Sequence, residues 1–364
     1  MNNPFTPNFG QVPAYLAGRS FLINEITRAL DNGLGDPNLA SIIVGARGTG
    51  KTALLSYLAG EAGQRGWLVV NTACTKGLLE DIYQQTMLAA SQVHDSPSKK
   101  TLKGVTFGSI VGLEWDNESE LELNWRMRMS NILDSLAQQD TGLLITVDEV
   151  DPNSEEMMLL ATVYQLFVRE ERKIALFMAG LPSNVSNLVR GKSVSFLRRA
   201  GRFDLERIPD HEVEMAFIRT VESGGKTIDK DALAAAVKAS AGFPYMIQLV
   251  GFRSWEEAGT NKKISLQAVE QGIELATKDM QARVLQATLN ELSKGDLEFL
   301  QAMMPDEKKS ATAELASRLG KSEAYVARYR SRLIERGVIE FAGRGYVAFA
   351  LPGIDAYVPI YLDS

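Results

Sequence analysis

The sequence predicts an α/β protein in which a parallel sheet with helices on both faces is followed by an all-α segment and a small C-terminal unit. Up to about residue 208, short apolar stretches alternate with segments of helical spacing, as in a parallel sheet with crossover helices. Only helical spacing is found from residue 210 to residue 290. Residues 291–364 combine three short helices with a pair of strands. The chain therefore divides into predicted domains over residues 1–208, 209–290 and 291–364.

The first predicted domain begins with an extended, proline-containing arm and continues with strands that are short and continuously apolar, as buried parallel strands are. The predicted order is helix 20–31, strand 39–44, helix 52–66, strand 67–73, helix 77–93, helix 121–139, strand 142–148, helix 154–171, strand 173–180 and a short strand near 203–208. Residues 104–116 interrupt this order and alternate like a β-hairpin. This hairpin is interpreted either as an exposed contact for a subunit or protein client or as a buried extension of the sheet.

The second and third predicted domains meet near residue 290. Helices are predicted in the second domain over 210–223, 229–242, 244–259 and 265–292, and the change of period at Pro209 marks its beginning. In the third domain we expect helices over 295–304, 311–320 and 322–337, followed by a two-stranded wing over 338–353.

Composition and charge exclude several classes of protein. The net charge of −6 argues against a chain coated over its whole surface by nucleic acid or anionic lipid. Cys74 is the only cysteine, which excludes a disulfide framework and a cysteine-based zinc site, and His94 and His211 have no metal-ligand spacing. The N-terminus lacks the features of a signal peptide, and no stretch reaches the ~20 apolar residues that span a bilayer. A cytoplasmic protein without membrane contact is predicted.

A phosphate-binding loop is predicted at Gly45-Ala46-Arg47-Gly48-Thr49-Gly50-Lys51-Thr52, which fits the pattern G-x-x-x-x-G-K-[ST] between a strand and a helix. Glycines allow the backbone N–H groups to point inward at a phosphate, where the helix N-terminus adds a positive dipole. Lys51 would neutralise the β- and γ-phosphate oxygens, and the Thr52 hydroxyl would ligate Mg²⁺. The motif therefore predicts binding of ATP with Mg²⁺.

An acidic pair follows the apolar stretch "LLITVDEVD" of residues 143–151. An aspartate at the C-terminal end of a buried strand lies at the edge where open α/β sheets bind ligands. Asp148 would hold a magnesium-bound water, and Glu149 would orient and activate the attacking water. The alternative is an ordinary acidic loop formed by Asp148, Glu149 and Asp151.

With these motifs, the chain resembles AAA+ ATPases of the origin-recognition-like and related STAND types, over most of residues 14–360. The segment "YLAGRSFLINEITRAL" resembles the Gly-Arg box of that family, which implies contacts to the nucleotide base from residues 12–19, including Arg19. The segment "FLRRAGRFDLERIPD" resembles the region whose arginines reach the γ-phosphate of a neighbouring subunit. The resemblance implies Arg199 and Arg202 as arginine fingers in a homo-oligomer, with Arg198 as a competitor and a solvated basic turn as the alternative.

Two positions depart from the pattern of that family. The polar sensor-one residue should follow the strand 173–180, where the sequence reads Gly180-Leu181-Pro182-Ser183-Asn184, so Ser183 and Asn184 are the candidates. The arginine of sensor two is replaced by Tyr245 in "AGFPYMIQL". A tyrosine donates a hydrogen bond or stacks but supplies no fixed positive charge. Slow or partner-dependent turnover, with the nucleotide acting mainly as a switch, is consistent with this change.

The C-terminal segment concentrates positive charge. Residues 308–344 contain nine Lys and Arg against four Glu, a local charge of +5 in a chain of −6. On the predicted helix 322–337, Val326, Tyr329 and Leu333 share a core face, which leaves Tyr325, Arg328 and Arg332 to point outward, with Arg344 at the tip of the wing. This segment resembles a winged helix.

The function predicted from the sequence is an ATP-binding AAA+ protein, an Mg²⁺-dependent ATPase that couples its nucleotide state to double-stranded DNA through the winged helix. The alternative is a STAND-like signalling or assembly switch whose winged helix docks a protein. A structural role for the basic helix is the remaining interpretation.

Overall fold

A five-stranded parallel sheet forms the centre of the N-terminal part. The computed structural model describes residues 2–8, 10–94, 118–191 and 194–363, so the expected hairpin at 104–116 lies outside the described residues. The strands are β1 Ala40–Val44, β2 Leu68–Ala73, β3 Leu143–Asp148, β4 Ile174–Gly180 and β5 Gly201–Asp204. They lie in the order β2-β3-β4-β1-β5, and every neighbouring pair is parallel. The predicted α/β class is confirmed, although β5 begins before the expected strand near 203–208.

Helices cover both faces of this sheet because side chains of successive strand residues point to opposite sides. In β1, Ile42 and Val44 belong to the core on one face, and Ile43 belongs to the core on the other. The helices of this part are α1 Ser20–Asn32, α2 Lys51–Gln64, α3 Leu78–His94, α4 Glu118–Ala137, α5 Glu155–Arg169 and α6 Pro182–Arg190. Buried side chains of α1 and α2 pack on the face that contains Ile43, and those of α3 to α6 pack on the opposite face. Helix α6 was not expected from the sequence.

The segment that follows, residues 209–290, is called the lid here. Its helices are α7 Asp210–Ser223, α8 Lys230–Ser240, α9 Pro244–Glu257, α10 Leu266–Met280 and α11 Gln286–Asn290. Two short parallel strands, β6 Thr227–Ile228 and β7 Lys263–Ile264, add a pair that the sequence did not predict. The helix expected over 265–292 is interrupted by a π-helical turn at Gln281–Leu285. Such turns are frequent at functional sites, and this one lies beside the cavity described below.

The N-terminal arm packs into the lid. The Phe5 side chain is 2% exposed and lies against Phe217, with ring centroids 6.0 Å apart. Gly251 in α9 leaves room for it, because a Cβ at this position would lie 2.2 Å from the Phe5 ring. The backbone N–H of Thr6 donates to the Gln248 side chain at 2.9 Å. The arm was expected to belong to the domain 1–208, yet its Phe5 side chain is part of the lid core.

The C-terminal unit, residues 291–363, consists of α12 Lys294–Met303, β8 Ser310–Ala311, α13 Thr312–Leu319, α14 Glu323–Glu335, β9 Ile339–Phe341, β10 Tyr346–Phe349 and α15 Ile354–Leu362. Its three strands form an antiparallel sheet in the order β8-β10-β9. The sequence predicted three helices and two strands, so β8 and α15 are additions. The Tyr361 hydroxyl of α15 donates to Asn290 of α11 at 2.9 Å. The lid and the C-terminal unit share one hydrophobic core.

Within the described residues, none of these helices has the length and apolarity that a bilayer crossing requires.

We expect Phe5→Ala to lower the free energy of unfolding of the lid by about 3–5 kcal/mol, because the substitution removes a fully buried aromatic side chain and leaves a cavity. Thermal denaturation followed by circular dichroism measures the change. Phe21→Ala is the matched control, since the Phe21 side chain is 75% exposed. Equal melting temperatures of the two variants would show that the arm does not stabilise the lid.

Candidate active site

The glycine-rich loop connects β1 to the first turn of α2. Gly48 and Gly50 have φ values of +77° and +86°, which side-chain-bearing residues rarely adopt. A Cβ at Gly48 would also lie 2.6 Å from the Phe243 ring of the lid, so the loop and the lid approach each other closely here. Helix α2 begins at Lys51, and its free N–H groups therefore lie at the end of the loop. This is the geometry that the chemistry of phosphate binding requires.

Lys51 lies inside the loop. Its ammonium group donates to the carbonyl oxygens of Gly45 and Ala46, each at 2.9 Å. Burial lowers the pKa of this ammonium group, whereas the carboxylates of Asp148 and Glu149 raise it and Arg47 lowers it further. A half-buried cation whose hydrogen bonds go to neutral carbonyls gains from a further anionic partner, because the loss of hydration is then compensated.

The acidic pair is brought next to the loop, as the sequence predicted. The Thr52 hydroxyl donates to Asp148 Oδ2 at 2.5 Å. The backbone N–H of Glu149 donates to Asp148 Oδ1 at 2.9 Å, which fixes the orientation of the carboxylate. Glu149 itself has a φ of +53°, a left-handed conformation that costs energy for a residue with a side chain. A strained residue at this position indicates a functional constraint on the direction of its side chain.

The two sensor-one candidates of the sequence have different environments. The Asn184 side-chain amide donates to the carbonyl of Val150 at 2.9 Å and so supports the turn that carries Glu149. The Ser183 hydroxyl donates to the carbonyl of Glu335 in the C-terminal unit at 3.0 Å. Neither side chain lines the cavity. Asn184 therefore positions the acidic turn, and Ser183 contacts another part of the chain.

The loop and the acidic pair form one wall of a cavity of about 410 Å³, a volume within the usual range for small-molecule sites. Residues from the N-terminal arm and the lid form the other walls. Arg19 lies at the junction, 8% exposed, and donates to the carbonyls of Thr49 and Glu206 at 3.5 and 3.1 Å. Burial lowers the pKa of the Arg19 guanidinium, and Glu212 and Glu206 raise it. Arg19 thus joins the loop to the segment just before the lid and also lines the cavity.

Two lid residues face the same cavity. Tyr245, at the start of α9, lines it. Burial raises the pKa of its phenol, and the nearby guanidinium of Arg283 lowers it. Arg283 lies in the π-helical turn and was missed by the sequence analysis, because an unbroken helix was expected there and nothing in the spacing marked one of its faces as a ligand wall. The lid therefore does supply an arginine, from a position other than that of Tyr245.

The three arginines of the predicted finger region differ in their contacts. Arg202 forms an ion pair with Asp204 at 2.9 Å, and Arg198 donates to the carbonyl of Val189 at 3.0 Å. Arg199 is exposed at the end of a 3-10 turn, Ser195–Arg199. Within the described residues it forms neither a hydrogen bond nor an ion pair. Of the three, Arg199 is therefore the one whose guanidinium is available to another molecule.

The expected outward orientation of Arg332 on α14 is wrong. Its guanidinium binds the fully buried carboxylate of Asp296 at 2.5 and 2.8 Å and the Ser293 hydroxyl at 2.7 Å. Burial raises the pKa of Asp296, but the hydrogen bonds from Ser293 and Arg332 outweigh this and lower it. Arg332 therefore joins α14 to α12 and compensates a buried charge. Tyr325 is half-buried, and Arg328 and Arg344 are exposed as predicted.

Comparison with known proteins agrees with this geometry. Residues 15–178 match the family of the AAA ATPase domain. This part of the chain is an AAA ATPase domain, so the protein is an ATPase. The domain includes the glycine-rich loop, Asp148 and Glu149. Residues 282–358 match a second family, which is described only as a domain of unknown function. No curated protein matches the chain.

Several solved structures share the fold of the AAA ATPase domain and its C-terminal extension. A Walker-type ATPase of Pyrococcus abyssi has a TM-score of 0.65 at 12% identity, over 94% of this chain and 96% of that one. The Orc2 protein of Aeropyrum pernix, in its ADP form, has a TM-score of 0.53 at 14% identity, with 98% and 96% covered. Cdc6p from Pyrobaculum aerophilum has a TM-score of 0.50 at 14% identity, with 98% and 96% covered. At these identities the similarity shows the fold alone.

We expect Lys51→Ala to weaken ATP binding by about 1.5–3 kcal/mol, roughly 10- to 150-fold, because the charge-assisted hydrogen bonds of the ammonium group to phosphate are lost. Isothermal titration calorimetry measures the dissociation constant. Lys76→Ala is the matched control, since Lys76 is exposed and lies outside the cavity wall. An unchanged affinity of the Lys51 variant would contradict the assignment of the loop.

Proposed function

We propose that this protein hydrolyses ATP with Mg²⁺ and couples its nucleotide state to double-stranded DNA through the C-terminal unit. The observation that carries the catalytic part is the contact between Thr52 and Asp148, which brings the loop and the acidic strand end together at 2.5 Å. A hydroxyl and a carboxylate are the oxygen ligands that Mg²⁺ prefers, so the residues present fit the metal. The positive φ values of Gly48 and Gly50 support a loop whose backbone N–H groups point inward at phosphate oxygens.

In the proposed mechanism each residue has a separate task. Lys51 would bind the terminal phosphates, and Thr52 with Asp148 would hold the metal, which would supply positive charge against the phosphate oxygens. Glu149, fixed in direction by its left-handed backbone, accepts a proton from the attacking water. Arg19 and Tyr245 contact the nucleotide from the arm and the lid. In a homo-oligomer, Arg199 reaches the γ-phosphate of the neighbouring subunit.

The proposal for DNA rests on the C-terminal unit. Its order of helices and strands, α12-β8-α13-α14-β9-β10, matches the order expected of a winged helix, which supports a role for α14 as the helix that would enter the major groove. The N-terminal half of α14 carries an aromatic and cationic cluster: the rings of Tyr325 and Tyr329 are 4.3 Å apart, and the Arg328 guanidinium lies within 6.0 Å of both ring centroids. Arg344 is exposed in the turn between β9 and β10.

Docking of a protein is the second candidate, and one observation favours it. Phe341 on β9 is 69% exposed, and Tyr346 at the start of β10 is 38% exposed. An apolar wing fits a protein surface, as in a STAND-like switch that assembles on ATP. The sequence alternatives therefore differ in the part of the C-terminal unit that they use: the cationic half of α14 for DNA, and the wing for a protein.

We expect Glu149→Gln to leave ATP affinity within about twofold of wild type and to lower turnover by at least ~100-fold, because the amide cannot accept a proton while its shape is retained. Phosphate release at saturating ATP measures turnover. Glu155→Gln, at an exposed position at the start of α5, is the matched control. Hydrolysis that survives at the wild-type rate would remove Glu149 from the mechanism.

We expect the affinity for duplex DNA to fall steeply as the salt concentration rises. The Arg328→Glu variant should bind DNA more weakly, and the slope of the logarithm of its association constant against the logarithm of salt concentration should be smaller by about 1. Fluorescence anisotropy at several salt concentrations gives both quantities. Arg169→Glu, an exposed charge reversal on α5, should change neither. Binding that ignores Arg328, together with ATP-dependent self-association that is lost in Phe341→Ser, would instead support the protein-docking function.

A further inference from the structure

The glycine-rich loop contacts the C-terminal unit as well as the cavity. The guanidinium of Arg47, the third residue of the loop motif, forms a two-point ion pair with Glu291, with distances of 3.3 and 3.1 Å. Glu291 follows α11 directly, and its carbonyl accepts a hydrogen bond from Arg336 at 2.5 Å. Arg336 ends α14. A chain of two arginines and one glutamate therefore links the loop to the end of α14.

The end of α14 also touches the loop directly. Gly337, with a φ of +67°, is buried, and a Cβ at this position would lie 3.5 Å from Ala46 Cα and 3.6 Å from the Arg47 nitrogen. One residue before Arg336, the carbonyl of Glu335 accepts the Ser183 hydroxyl at 3.0 Å. The C-terminal end of α14 is thus seated on the loop and on the start of α6.

Helix α14 joins two surfaces. Its last turn contacts the loop, whereas Arg328, two turns earlier, is exposed to solvent. A helix of 13 residues is about 20 Å long and behaves as a rigid element. A displacement of its C-terminal end at the loop therefore displaces the exposed half as well.

Arg47 lines the cavity, so two anions compete for it: the Glu291 carboxylate and the phosphates of a nucleotide. We propose that Arg47 and Glu291 form a latch that ATP opens, in which the phosphates attract Arg47, the Glu291 carboxylate loses its partner, and the end of α14 leaves the loop. The inference rests on the proposed nucleotide site and names its regulation. By linkage, a ligand that favours the open position of α14 tightens ATP binding by the same factor.

A second contact limits how far the C-terminal unit moves. Arg207 donates to the carbonyl of Phe349 at 2.9 Å and pairs with Glu340 at 3.3 Å, and it lies outside the cavity wall. Nucleotide phosphates do not compete for this arginine. In this proposal the unit therefore stays attached through Arg207 when the latch opens.

The affinity for a non-hydrolysable ATP analogue tests the latch, because substitutions of Glu291 and of Arg47 should change this affinity in opposite directions. We expect Glu291→Gln to tighten binding about 2- to 5-fold, the range of a solvent-exposed ion pair, since Arg47 no longer has to leave a carboxylate. Arg47→Gln weakens binding, because the phosphate contact is lost. Glu314→Gln is the matched control: it removes the same charge from an ion pair inside the C-terminal unit and leaves the affinity unchanged. Unchanged or weaker binding by Glu291→Gln overturns the latch.

A double-mutant cycle separates the latch from the general effect of removing a negative charge near phosphates. In the Arg47→Gln background, Glu291→Gln should no longer change the affinity, since the competition requires both side chains. A gain that persists in this background is a long-range electrostatic effect and overturns the latch.

Resonance energy transfer between labels at Gln64→Cys and Lys308→Cys, in a Cys74→Ala background, measures the position of the C-terminal unit. Both labelled positions are exposed. The analogue should change the transfer efficiency of the labelled protein that carries the native Arg47–Glu291 pair. The Glu291→Gln variant should show, without nucleotide, the same transfer efficiency as the analogue-bound protein. Reversal of the pair, Arg47→Glu with Glu291→Arg, should restore the transfer efficiency that the unaltered protein shows without nucleotide. Addition of the analogue should then leave this efficiency unchanged. A protein that binds the analogue without any change in transfer refutes the latch alone, whereas a protein that binds no nucleotide refutes the proposed function as well.

Discussion

The active site depends on one contact between strands that are not neighbours. Thr52 follows β1 and Asp148 ends β3, and β4 lies between these two strands. The intervening strand ends at Gly180, a residue without a side chain. A Cβ at Gly180 would lie 2.5 Å from Val150, so a larger residue would push the acidic turn away from the loop. The Gly180 carbonyl also accepts the N–H of Gly45 at 3.3 Å, which ties the beginning of the loop to β4.

The parts of this arrangement that follow from local patterns could be predicted from the sequence. Continuously apolar runs, which are buried on both faces of the sheet, predict the strands, and the spacing of glycines, lysine and threonine predicts the loop. Asp148 and Glu149 follow because the ends of parallel strands meet at one edge. The left-handed backbone of Glu149 gave no sequence signal, since glutamate rarely adopts it.

The parts that were wrong or missing depend on partners distant in sequence. Arg332 occupies an outward position by helical spacing, but Asp296 lies 36 residues earlier and turns it inward. The partner of Arg47 is 244 residues away. Arg283 faces the cavity because a π-helical turn shifts the register of the helix by part of a turn, which no periodicity of apolar residues reveals. Helix periodicity shows on which face of a helix a residue lies, but it does not show which other element packs against that face.

The N-terminal arm is placed where it can affect nucleotide exchange. It is fixed at one end by Phe5 inside the lid and at the other by Arg19, which bonds to the loop and to Glu206. Between these anchors its backbone passes over the cavity, and a Cβ at Gly10 would lie 3.5 Å from the methyl group of Thr52. Because arm residues line the cavity and the arm is attached at both ends, we expect its displacement to contribute to the rate at which nucleotide enters and leaves.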